Sequence, residues 1–236
     1  MRDFLGELAE TPPDAARSLY LPPRLPTAEL ENGLKELPVP EGIAPELAKL
    51  AGSSPNGSVF FWSPQARYLV FPAFPIREKS LFPGLATEPL HSLLQRDHRI
   101  AIVLVRLGAY AIGISEGENL VSSKIGTGLV HGRHRQGGSS AHRFERHRDK
   151  QIEYFLTRVC QHIREQLEPQ VKALDYMAYG GAWTTIQLLQ KQCPFLGRLN
   201  QPTLPPLLEI PEPRRAVLET SVKRVWSSTV IEWRQD

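Results

Sequence analysis

Residues 126–150, GTGLVHGRHRQGGSSAHRFERHRDK, gather the side chains best suited to chemistry. From His131 to Lys150 there are five arginines and one lysine against Glu145 and Asp149. Four of the chain's seven histidines, His131, His134, His142 and His147, lie in the same stretch. The whole chain carries a formal charge of only +3, so the cationic character is local. A glycine-rich loop edged with arginine suits a polyanion better than a small neutral ligand.

Four other chemistries fit this segment poorly. His131 and His134 have a plausible metal-ligand spacing, but Arg133 and Arg135 flank them and would repel a cation. Gly126-Thr127-Gly128 and Gly137-Gly138 lack the Lys-Ser/Thr ending of a phosphate-binding loop and the spacing of a dinucleotide fingerprint. Ser139 or Ser140 could serve as a nucleophile only with an oriented base held by an acid. His142 is near, but no third partner is identifiable, and Ser140 reads better as a helix N-cap. A two-metal nuclease needs carboxylates on its central strands. The strand IAIVLV at 100–105 has none, and a later strand carries only Asp175. The remaining reading is RNA. A helix beginning near Ala141 offers free N–H groups to phosphate. Arg143, Arg146, His147 and Lys150 form a basic face on it, which Arg133 and Arg135 extend into the loop. Such a surface grips backbone phosphates without reading sequence.

The elements around the loop follow from periodicity. Residues 100–105, 110–115 and 120–125 read as three antiparallel strands joined by turns at Gly108 and 116–119. A helix follows, with Phe144, Ile152, Phe155, Leu156, Val159, Ile163 and Leu167 on one face and Pro169 at its end. A strand at 173–179, a helix at 184–192, a weaker strand at 207–210 and a helix from Pro213 to about Trp233 complete the pattern. The order β-β-β-α-β-α-β-α predicts an α/β fold with a mixed sheet covered by helices, the order of ribonuclease-H-like folds. Fourteen of the twenty-one prolines fall in the first ninety residues. Residues 1–95 therefore read as a proline-rich module with short helices at 28–37 and 44–50 and a hairpin at 59–62 and 67–71. Its PPRLP and LPVP segments read as rigid connectors.

Hydrophobic content of 41% and charged content of 22% are those of an ordinary globular protein. The two cysteines, Cys160 and Cys193, make neither a disulfide framework nor a zinc signature, and both are expected to be reduced. The N-terminal residues place acids where a signal peptide needs an apolar run, and the apolar run at 100–105 is too short to cross a bilayer. A cytosolic protein with no membrane partner is expected.

The basic Gly-Gly loop between the third strand and the first long helix resembles the middle domain of eukaryotic and archaeal class-I peptide release factors. It is closer to the release-factor-like peptidyl-tRNA hydrolases of ribosome-associated quality control, including the ankyrin-and-zinc-finger type and bacterial members. The most specific match is an arginine-rich approach, Gly137-Gly138, a short polar run, and the helix start Arg143-Phe144-Glu145-Arg146-His147-Arg148. The resemblance extends from about Arg99 to the C-terminus and makes residues 96–236 a release-factor-like domain. It implies large ribosomal subunits and peptidyl-tRNA as partners, and hydrolysis of the peptidyl-tRNA ester by a positioned water, with neither metal nor cofactor. In the family a glutamine following the glycines orients that water. Here Ser139, Ser140, Ala141 and His142 follow them, and the local glutamine is Gln136, just before. The resemblance thus assigns the catalytic candidates Gln136, Gly137, Gly138, Ser139 and Ser140. The RNA-binding candidates are Arg133, Arg135, Arg143, Arg146 and Lys150. Two outcomes stay open: hydrolysis through a rearranged set of polar groups, or binding of tRNA or ribosome without hydrolysis.

Overall fold

The computed structural model describes residues 1–10, 15–130 and 141–234. Its first elements are α1 (Arg2–Ala9), β1 (Arg17–Leu21), α2 (Thr27–Leu34), α3 (Ala44–Ser53), β2 (Ser58–Trp62), β3 (Arg67–Phe71), β4 (Ser80–Pro83) and α4 (Glu88–Gln95). There follow β5 (Arg99–Arg106), β6 (Ala109–Glu116), β7 (Asn119–Thr127), α5 (Ala141–Leu167), β8 (Tyr176–Gly181), α6 (Trp183–Gln192), α7 (Pro194–Gly197), β9 (Thr203–Leu208), α8 (Arg215–Val225) and β10 (Thr229–Glu232). They form two compact units, Met1–Arg96 with Trp226–Asp236, and Asp97–Val225.

The first unit is an antiparallel sheet in the order β10-β3-β2-β1-β4. Its buried cluster joins Leu19, Phe60, Trp62 and Leu69 of the sheet to Leu30 and Leu34 of α2 and Leu47 of α3. The β2–β3 hairpin turns at 63–66. There the Ser63 amide donates to the Ala66 carbonyl (2.7 Å), and the Ala66 amide donates to the Ser63 hydroxyl (2.8 Å). This side-chain closure is what Ser contributes to tight turns.

The second unit carries the loop-bearing sheet, in the order β7-β6-β5-β8-β9. β5, β6 and β7 pair antiparallel, whereas β8 joins β5 and β9 joins β8 in parallel. The expected chain order is present, with the short α7 inserted before β9. β5 is covered on both faces, and Ile100 to Val105 are fully buried, which explains a continuous apolar run rather than alternation. Ala101, Val103 and Val105 face a cluster with Phe155, Leu156, Val159, Ile163 and Leu167 of α5 and with Ile186 and Leu189 of α6. Each such large side chain contributes about 1.5–3 kcal/mol when removed from water.

Four expectations are corrected. The helix expected to reach Trp233 ends at Val225, and residues 229–232 form β10 on β3. The C-terminal residues, expected within the 96–236 domain, therefore belong to the first unit. β10 exists because Trp226 packs edge-on against Phe74 at 4.7 Å and Ser228 accepts from the Ala73 amide, which turns the chain out of helix. The strand expected at 207–210 is β9, running through Pro205-Pro206; it sits at the sheet edge, where proline is tolerated.

The fourth correction concerns the cysteines. Cys160 of α5 and Cys193 at the end of α6 form a disulfide, because the two helices bring their Cα atoms to 5.4 Å. The bridge closes a sequence separation of 33 residues, which restricts the unfolded chain by about 3–4 kcal/mol. Reductant should lower the melting temperature of the wild type by roughly 10 °C. The Cys160→Ser/Cys193→Ser variant should melt at the same lower temperature with or without reductant. A wild type indifferent to reductant would contradict the bridge.

Candidate RNA-binding and catalytic site

Gln136, Gly137, Gly138, Ser139, Ser140, Arg133 and Arg135 lie outside the described residues, as does the proposed Ser140 cap. The structure does describe the two elements that lead into and out of this stretch, β7 and α5, and the seam between them.

The seam is built from close approach. Gly126 lies against the Tyr110 ring so tightly that any Cβ would overlap the phenol. A Cβ on Gly128 would sit 2.6 Å from the Phe155 ring. The Gly128 amide donates to the Gly108 carbonyl at 2.9 Å, and the Arg158 guanidinium donates to the Thr127 carbonyl. Further along, Tyr110 stacks on His162 at 5.6 Å, and the Ser122 hydroxyl donates to Gln166 at 2.7 Å. Burial raises the Tyr110 phenol above its ordinary pKa, an effect that Arg158 opposes. Hydrogen bonds from His162 and then Gln161 hold the Glu165 carboxyl below its ordinary value. Gly128→Ala should push Phe155 out of register and cost about 1–3 kcal/mol, read as a lower urea midpoint. An unchanged midpoint would mean that the seam yields freely.

These contacts fix the direction of α5. Gln166 meets Ser122 and Arg158 meets Thr127, so the helix runs antiparallel to β7. β7 ends at Thr127, yet fourteen residues of α5 precede its first buried core residue, Phe155. At 1.5 Å per residue, the N-terminal half of α5 continues roughly 20 Å beyond that point. Arg143, Arg146 and Lys150 are all exposed on this half. Phe144, expected on the apolar face, is 55% exposed, because the helix outruns the sheet that would cover it. Ile152 is half-buried against the core.

Asp175, the carboxylate of interest for a metal site, precedes β8 and accepts from the Arg99 amide at 2.9 Å, with His98 Nδ1 at 3.9 Å. It ties together the starts of β5 and β8. Among the described residues, no cluster of three or more His, Cys, Asp or Glu could hold a metal ion. None of the described helices is long and apolar enough to cross a membrane.

The site is thus a long basic helix anchored at its C-terminal half on a mixed sheet. The model of the Actinobacteria/chloroflexi VLRF1 release factor family matches residues 98–231, more than half of the sequence, and the chain belongs to that family. Among characterised proteins it is similar to archaeal peptide chain release factor subunit 1. The Aeropyrum pernix protein is 25% identical over 177 residues, covering 64% of this chain and 48% of the relative. The Archaeoglobus fulgidus protein is 30% identical over 94 residues, covering 40% of this chain and 23% of the relative. The Thermococcus sibiricus protein is 33% identical over 83 residues, covering 35% and 20%. The chain thus spans less than half the length of these relatives. Among solved structures, an archaeal translation termination factor, aRF1, aligns over 94% of this chain and 71% of its own, with a TM-score of 0.40 and 18% identity.

Proposed function

We propose that this chain is a ribosome-associated peptidyl-tRNA hydrolase of the cytoplasm that acts on stalled large subunits. The observation that carries the reading is the exposed basic half of α5, which follows residues 131–140 in a chain of the release factor family. Arg133, Arg135, Arg143, Arg146 and Lys150 grip RNA phosphates and steer residues 136–140 toward the ester. There a water attacks the ester carbonyl. Its oxygen bonds to carbon, the bond from carbon to the ribose oxygen breaks, and the water's proton ends on that ribose oxygen. Gln136, Ser139 and Ser140 supply polar groups to orient the water, and Gly137 and Gly138 let the chain approach the ester closely. Positioning and preorganised donors suffice for such a step.

A second reading, binding without hydrolysis, is favoured by one observation: no glutamine follows Gly137-Gly138 before the helix. Purified protein incubated with large subunits carrying peptidyl-tRNA separates the two. Hydrolysis converts the tRNA-linked chain to free peptide. If the protein co-sediments with the subunits and the linked species persists, the binding reading stands. If it does not co-sediment, both fail.

A further inference from the structure

The exposed half of α5 carries an aromatic side chain that the phosphate-gripping role does not use. Tyr154 is 73% exposed and follows Glu153 just before the first core residue, Phe155. At about 100° per residue, Arg143, His147, Lys150, Tyr154 and Arg158 fall within an arc of about 80° on one side of the helix. Arg143, His147, Lys150 and Tyr154 are exposed, and Arg158, partly covered, donates to the Thr127 carbonyl at the foot of the stripe. The acids of this half, Glu145, Asp149 and Glu153, lie about 100° or more from the midline of the stripe. The next acid on that side, Glu165, stands about two turns beyond Arg158 and is bound to His162.

An aromatic ring one turn from a cation on either side, on a surface cleared of acids, matches the chemistry of an unpaired nucleotide. Cations hold the phosphates on both sides while the ring offers its face to the base. Duplex RNA cannot use such a ring, because its bases are already stacked. Tyr154 takes no part in the buried cluster that α5 makes with the sheet, so the fold does not account for its placement.

We infer that Tyr154 is a stacking residue for an unpaired base of single-stranded RNA, with Lys150 and its neighbours on the stripe holding the adjoining phosphates. This rests on the reading that the basic half of α5 meets RNA, and it adds a preference for single-stranded over duplex RNA.

The test is fluorescence anisotropy of the full chain with a labelled twelve-nucleotide single strand and with a duplex of the same length. Tyr154→Ala should weaken single-strand binding by about 5- to 100-fold, and duplex binding by no more than about twofold. Tyr154→Phe, which keeps the ring, should bind as the wild type does. The salt dependence should stay unchanged in Tyr154→Ala, and should fall by about one phosphate contact in Lys150→Ala. Leu188→Ala, at an exposed apolar position on α6, should alter neither affinity. Equal losses on single strand and duplex, or Tyr154→Phe as damaging as Tyr154→Ala, would overturn the stacking role. If the wild type binds RNA and Tyr154→Ala binds equally well, this inference fails alone. If the wild type binds neither RNA, the basic-helix reading fails with it.

Discussion

Reversing Arg143 and Arg146 together to glutamate is expected to weaken binding to large ribosomal subunits by roughly 50-fold or more at 0.1 M salt. Each phosphate contact contributes about 0.9 to the slope of log affinity against log salt, so two lost contacts should lower the slope by nearly two. The fold should survive, because both residues are exposed and precede the core-forming half of α5. An unchanged melting temperature would confirm that the loss is one of binding. The effect should be uniform across RNA sequences, since phosphate contacts position without specifying. Unchanged affinity and slope would remove the basic half of α5 from the interface.

The second large effect concerns the step itself. Gln136→Ala is expected to slow peptide release by about 100-fold or more, the usual consequence of losing one preorganised polar group at an acyl-transfer site. Gly138→Ala should have a comparable effect by placing a methyl group where the ester must approach. Neither change should alter co-sedimentation with subunits, because the arginines that grip RNA are untouched. Release measured under single-turnover conditions separates the step from binding. If Gln136→Ala releases peptide at the wild-type rate, the water is oriented by another group, with Ser139 and Ser140 next to test.

Much of the second unit was legible because its elements obey strong local rules. The meander opens with the β-branched run of β5 and is punctuated by turn residues before β6 and β7, and α5 has a core stripe of helical period. What escaped depends on contacts distant in sequence. β1 is an interior strand of its sheet, but its five residues, between Pro12-Pro13 and Pro22-Pro23, are too few for a periodic pattern to mark them. β10 has the spacing of a helix continuation, and only its pairing with β3 makes it a strand. The disulfide was hidden because nothing in the spacing of Cys160 and Cys193 says that α5 and α6 lie side by side.

The candidate site divides in the same way. The charge on α5 was plain from composition, and its basic face is exposed. The overhang was not plain, because helix length is local whereas the end of the covering sheet is not. That is why the helical period places Phe144 on the core stripe while the structure leaves it 55% exposed. Tyr154 could have been found from the sequence by extending the basic spacing Arg143, His147, Lys150 one turn further.

The most direct test of the central claim is the state of the tRNA after reaction. Purified protein would be incubated with large subunits bearing peptidyl-tRNA, and the RNA product sized and offered to its aminoacylating enzyme. Ester hydrolysis predicts free peptide together with full-length tRNA that can be recharged at its 3′ end. Peptide that stays linked to tRNA, or tRNA that is shortened and cannot be recharged, would contradict it.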